Sequence, residues 1–176
     1  MQLRADIQLQ TAIRALSEVV APALGSDNAL ATEQLQLVIG MLHLLATQLP
    51  LQSRYDRDEL TRLLEFSADL TATVEPDGHA HIITTLAAAS VAGVALLTSV
   101  AADAADIQQA IRDLSTYTGA LITAVYADGN ETERRCITPL VLAHADAQLL
   151  RERAWLLPMG WETQPEALPL IADLLK

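Results

Sequence analysis

Asp77, His79 and His81 come nearest, by type and spacing, to a metal-binding set in this 176-residue sequence. Two imidazoles either side of one alanine, with a carboxylate just ahead of them, would offer a divalent ion three ligands from one segment and leave a fourth to come from elsewhere. Two histidines beside a helix start serve as readily as polar surface groups. The di-iron pattern of helical bundles needs a Glu or Asp three residues ahead of a His on two helices. No acid stands at that distance before His43, His79, His81 or His144. No metal and no cofactor is expected.

Other reactive side chains have structural readings beside the chemical ones. Cys136 follows Arg134 and Arg135, which would favour its thiolate, yet no nucleophile motif or glycine-rich phosphate loop accompanies it. A small buried apolar role is the simpler reading for Cys136. Asp103 and Asp106, with Asp113 further on, resemble a magnesium-binding acidic run, but their spacing is also that of a helix cap. Asp56 and Glu59 have the same spacing. His43 and His144 lie on apolar stretches, where a half-buried imidazole with one hydrogen bond is expected. His43, with Tyr117, is the candidate polar anchor for an apolar ligand held between helices. Arg54, Tyr55 and Arg57 form a dense charged and aromatic cluster, and Trp155 and Trp161 bracket Pro158-Met159-Gly160. Arg, Tyr and Trp are the types enriched at interface hot spots, so these five are candidate interaction residues. The competing reading is an ion-paired helix start, with Asp58 four residues before Arg62, and two indoles packing the chain's end onto the bundle.

Helices must position all of these groups. Apolar residues recur at helical spacing from Leu3 to Leu24, where Pro22 and Gly25 end the first helix. Ser26, Asp27 and Asn28 open a second over 29–48, whose wide apolar face leads one to expect most of its circumference covered. Asp56 with Glu59 predicts the cap of a third helix, continuing to about Thr73. A turn at Glu75-Pro76-Asp77-Gly78 precedes a fourth, and Asp103 starts a fifth. The fifth carries Ile107, Ile111, Leu114, Thr118, Leu121 and Val125 in steps of four and three, the pattern of a bundle seam. Asn130 and Glu133 cap a short turn, Pro139 opens a main sixth helix to about Leu157, and a short last helix passes Leu168, Ile171 and Leu174.

Between Asp77 and Asp103 there is no Lys, Arg, Asp or Glu. A segment this long and uncharged has the length of a membrane span. Its Ala, Ser, Thr and Gly insert weakly, and its flanks are acidic, with no Lys or Arg nearer than Arg62 and Arg112. The segment is therefore expected to be a central helix enclosed by its neighbours, where small side chains allow close approach.

Composition narrows the class. Hydrophobic residues make up 51% and aromatics 3%, so the core must be aliphatic, which suits helices. A net charge of −11 repels phosphate backbones and anionic lipid, so neither nucleic acid nor membrane is an expected partner. One cysteine and no apolar leader after the N-terminal Arg4 point to the cytoplasm. The run Leu37-Val38-Ile39-Gly40-Met41-Leu42, with Leu49-Pro50-Leu51-Gln52 and Tyr55-Asp56-Arg57-Asp58-Glu59-Leu60, resembles small all-helical bacterial proteins that accompany acyl-CoA dehydrogenase-like and phosphotransferase-like enzymes. The resemblance covers about the first third of the chain. It implies a cytoplasmic bacterial accessory protein and transfers no site.

The resulting expectation is an all-α protein, one up-and-down bundle of about six helices over residues 1–176. Its expected role is non-enzymatic: an accessory or interaction protein, as a homo-oligomer or with a partner protein. A binder of an apolar or acyl-type small molecule is the alternative.

Overall fold

The computed structural model describes residues 4–24 and 28–175, with Asp77 described by its backbone alone. The expected roles of Gly25, Ser26 and Asp27, and of the Asp77 side chain, lie outside the described residues. The protein is all-α. Helix α1 (Ala5–Ala15) runs on through a π-helical segment, Leu16–Val20, and one more α-turn, Ala21–Ala23. Pro22 has no N–H to give, and next to it Ala21 donates five residues back to the Leu16 carbonyl. Then follow α2 (Ala29–Gln48), α3 (Gln52–Thr73), α4 (Pro76–Thr98), α5 (Ala104–Asp128), α6 (Glu131–Leu156) and α7 (Ile171–Leu174), with 3-10 turns at Leu157–Met159 and Pro165–Ala167.

Local chemistry explains most boundaries. Asn28 Oδ1 accepts the Ala31 N–H at 3.2 Å at the start of α2, and Asp103 Oδ1 accepts the Ala105 N–H at 3.1 Å at the start of α5. Asn130 and Glu133 form a reciprocal capping box, each side chain accepting the other's backbone N–H at 2.9 Å. Two expected starts are corrected. Helix α3 begins at Gln52, so Asp56 and Glu59 lie within it and not at its start; Asp56 is buried and accepts from Gln108 of α5 at 3.3 Å. Helix α6 passes through Pro139 without a break. Pro139 has no N–H to give to the ladder, and in the same turn the Thr138 hydroxyl bonds the Arg134 carbonyl at 2.6 Å.

The described residues within Met1–Gln52 and Arg151–Leu174 gather into one compact unit, and those within Ser53–Leu150 and Leu175–Lys176 into another. In the first, α2 packs against α1 and the turn Leu157–Met159, with Ile13, Ile39 and Ala154 buried. In the second, one aliphatic core takes Leu60, Leu63, Phe66 and Leu70 from α3, Leu86 from α4, Ile107, Leu114, Leu121 and Val125 from α5, and Ile137 from α6. The four-and-three spacing of α5 is thus its core stripe, and Ile111 packs at the edge. Each fully buried Leu contributes about 1.5–3 kcal/mol.

Helix α4 is not enclosed, which corrects the expectation for the uncharged segment. It sends Ile82, Ile83, Leu86, Leu96 and Leu97 to the core and presents Ala87, Ala88, Val91, Ala92, Val94 and Ala95 outward, Val91 being 72% exposed. Four helices sharing one core each bury one side, so none of them can be surrounded by the other three. Alanine tolerates the outer side because its methyl loses little in water. Contact is close at Gly93, where an added Cβ would stand 3.2 Å from Leu64 Cδ2. Helices α2 and α4 are both long and apolar enough to cross a membrane by length and composition, and little of either is buried.

Candidate functional site

In the second unit the groups with chemical potential are dispersed along separate helices. His79 is buried where α4 departs from helical dihedrals (φ −132°, ψ 16°), whereas His81 is exposed. Glu133 holds its carboxyl below the ordinary value of 4.5, through the N–H groups of Asn130 and then Glu75, with a smaller electrostatic pull from His79. Cys136 is exposed on α6, and its neighbour Ile137 takes the core position, so the buried role expected for Cys136 is corrected. Among the described residues no three His, Cys, Asp or Glu side chains are placed to hold a metal ion.

A cleft of about 230 Å³ forms between α3 and α6, with the polar side chains of Arg62, Glu65, Asp69 and His144 beside Phe66, Leu140 and Ala143 in its wall. The rings of Phe66 and His144 stack there with centroids 4.0 Å apart and planes 4° apart. Arg62 donates to the buried Asp58 at 2.8 Å, the pair expected from their spacing. No local pattern marks this cleft in the sequence, because its two walls lie far apart along the chain. His144 is half-buried, as expected.

The predicted site residues serve different ends. Arg57 Nη2 donates to the carbonyls of Leu97 at 2.7 Å and Ser99 at 3.4 Å, closing the C-terminal end of α4. Arg54 donates to the Leu175 carbonyl, and Tyr55 is buried. Tyr117 is half-buried against the core of the second unit. His43 is exposed on α2 in the first unit, not half-buried as its apolar surroundings suggested. The Trp155 carbonyl accepts from Gln48 Nε2 at 3.1 Å. Trp161 is 71% exposed beside the Arg153–Glu162 ion pair, so it does not pack the chain's end in place.

Helix α2 holds the most distinctive surface. Successive residues turn about 100°, and this divides its circumference into three sectors. Leu35, Ile39, Leu42 and Ala46 pack inward; Thr32, Glu33, Gln36, His43 and Thr47 are exposed and polar. The third sector is exposed and apolar: Leu30, Leu37, Val38, Met41, Leu45 and, at the helix end, Leu49. The helix was expected to be covered round most of its circumference; hydrophobic periodicity shows which residues are apolar but not how many neighbours are present. Beside this sector, α1 and α2 form a groove of about 510 Å³ walled by Leu9, Ala12, Leu45, Leu49 and the amides of Gln8 and Gln48, with no charged residue. In the second unit a groove of about 480 Å³ between α4 and α5 is walled by Ala89, Ala92, Leu96 and Ala110, with Asp106 and Asp113 among its lining residues. No family model, curated protein or solved structure matches the chain.

Proposed function

We propose that this chain is a non-enzymatic, cytoplasmic interaction protein whose exposed apolar helix faces are covered by protein, either its own copy or a partner. The observation that carries the proposal is the apolar sector of α2, seconded by the outward Ala and Val face of α4. Contiguous apolar surface of this kind marks binding sites on soluble proteins. Lipid is a poor match for it. A spanning α2 would place Glu33, Gln36 and His43 in hydrocarbon, and a helix lying on an anionic bilayer needs Lys or Arg, of which α2 has neither. The exposed Trp161 adds a hot-spot residue to the first unit.

The test is native mass spectrometry of the chain taken from its own cell in detergent-free buffer. A second polypeptide in fixed ratio is the expected result. The uncharged groove between α1 and α2 favours one other reading, a bound apolar or acyl-type molecule, because its volume falls in the range of small-molecule sites. A retained molecule of that class, with no second polypeptide, would establish it instead.

A further inference from the structure

We propose that the cleft between α3 and α6 binds a small organic dication, a short alkyl chain with an ammonium or guanidinium group at each end. The cleft belongs wholly to the second unit, so this site does not depend on what covers α2. Each wall is one stripe of a helix: Arg62, Glu65 and Asp69 on α3, and Ala143, His144 and Ala147 on α6. The space exists because α6 places alanine one turn apart at 143 and 147, where longer side chains would fill it. Its volume of about 230 Å³ lies under the roughly 300–1,000 Å³ of sites for drug-sized molecules, so the occupant is small.

Charge sets the sign of that occupant. Arg62 Nε donates to Asp58 Oδ2 at 2.8 Å, and the Asp58 side chain is wholly buried, so this arginine is matched by a carboxylate of its own helix. Glu65 and Asp69 add two further negative charges, and no Lys or Arg of α6 lines the cleft. These acids stand four residues apart on one helix, where like charges repel, and a bound cation relieves the repulsion. The chain's net charge of −11 draws cations toward it as well. A metal ion is a poorer match, since among the described residues no three His, Cys, Asp or Glu side chains converge to hold one. Carbon is accommodated beside charge: Phe66, Leu140, Ala143 and Ala147 line the same cleft, and the stacking of Phe66 on His144 holds both rings in place. Residues four apart are separated by about 6 Å along a helix axis, which suits two cationic groups joined by a short chain.

The experiment is calorimetric titration of the purified full chain with agmatine, an alkyl chain carrying a guanidinium and an ammonium, at pH 8 and low salt. Saturable binding with a dissociation constant below about 1 mM is expected. Glu65→Gln and Asp69→Asn should each weaken it roughly 10-fold or more. Both positions are exposed, so circular dichroism should show unchanged helicity. Asp146→Asn removes the same charge from an exposed position outside the cleft and should leave binding unchanged, whereas Ala147→Leu fills the cleft without altering its charge and should abolish binding. Butylguanidine, a single cation that mimics an arginine side chain, should bind at least roughly 10-fold more weakly than agmatine. Absence of binding, or an equal loss in Asp146→Asn, overturns the proposal. Butylguanidine binding as tightly as agmatine overturns it too, and would assign the cleft to an arginine of a protein partner.

Discussion

Glu133, in the first turn of α6, accepts the backbone N–H of Glu75 at 3.1 Å while its other oxygen accepts from Asn130 at 2.9 Å, so one carboxylate caps its own helix and pins the turn between α3 and α4. These bonds favour the ionised form and depress its folded pKa below 4.5. A depressed carboxyl contributes stability that is fully present above the unfolded value and is lost as pH falls through the folded one. We expect Glu133→Gln to lower the urea midpoint at pH 7 and to converge on the wild type once the pH is well below 4.5. Urea titrations across that range check this; a pH-independent gap between the two proteins would contradict it.

Gly129 precedes that cap and has no room for a side chain. A Cβ there would stand 2.5 Å from the Val125 carbonyl oxygen and 3.0 Å from Glu133 Oε2, although its φ of −70° suits any residue. We expect Gly129→Ala to destabilise by about 1–3 kcal/mol. Gly119, on an exposed turn of α5, meets nothing within 4 Å. Gly119→Ala should stabilise by about 0.4–1 kcal/mol by restricting the unfolded chain. Chemical denaturation of the two variants tests the contrast in sign.

Arg57 illustrates a charge whose use was hidden from sequence. It spans from α3 to the Leu97 and Ser99 carbonyls at the end of α4. Arg57→Met should cost about 1.5–3 kcal/mol and speed amide exchange in the last turns of α4 more than in α5. Uniform protection of both helices in the variant would count against a capping role.

The two sides of α4 should respond differently to substitution. Leu86 is fully buried, so Leu86→Ala is expected to cost about 2–5 kcal/mol through lost transfer and a residual cavity. Val91→Asn, on the outward side, should stay within about 0.5 kcal/mol of the wild type. Comparable losses at both positions would restore the enclosed helix that the uncharged sequence suggested.

Patterns resting on neighbouring residues were legible before the structure. The capping pair Asn130 and Glu133, the cap at Asp103, the Asp58–Arg62 pair and the stripe from Ile107 to Val125 all appear where spacing placed them. What failed required knowing what lies opposite. Asp56 and Glu59 match a cap by spacing, but the helix starts at Gln52 and Asp56 meets Gln108 instead. Apolarity on α2 and α4 shows which residues avoid water in principle, while their exposure depends on how many helices share each core. The stacked Phe66 and His144 and the outward Trp161 were equally invisible, since neither follows from a local pattern.

The most direct test of protein-covered apolar faces is native mass spectrometry of the full chain drawn from its own cell without detergent. We expect it to leave the cell in the soluble fraction and to fly with a second polypeptide in fixed stoichiometry. A bare 18.9 kDa species, or a chain released only by detergent, would contradict that expectation.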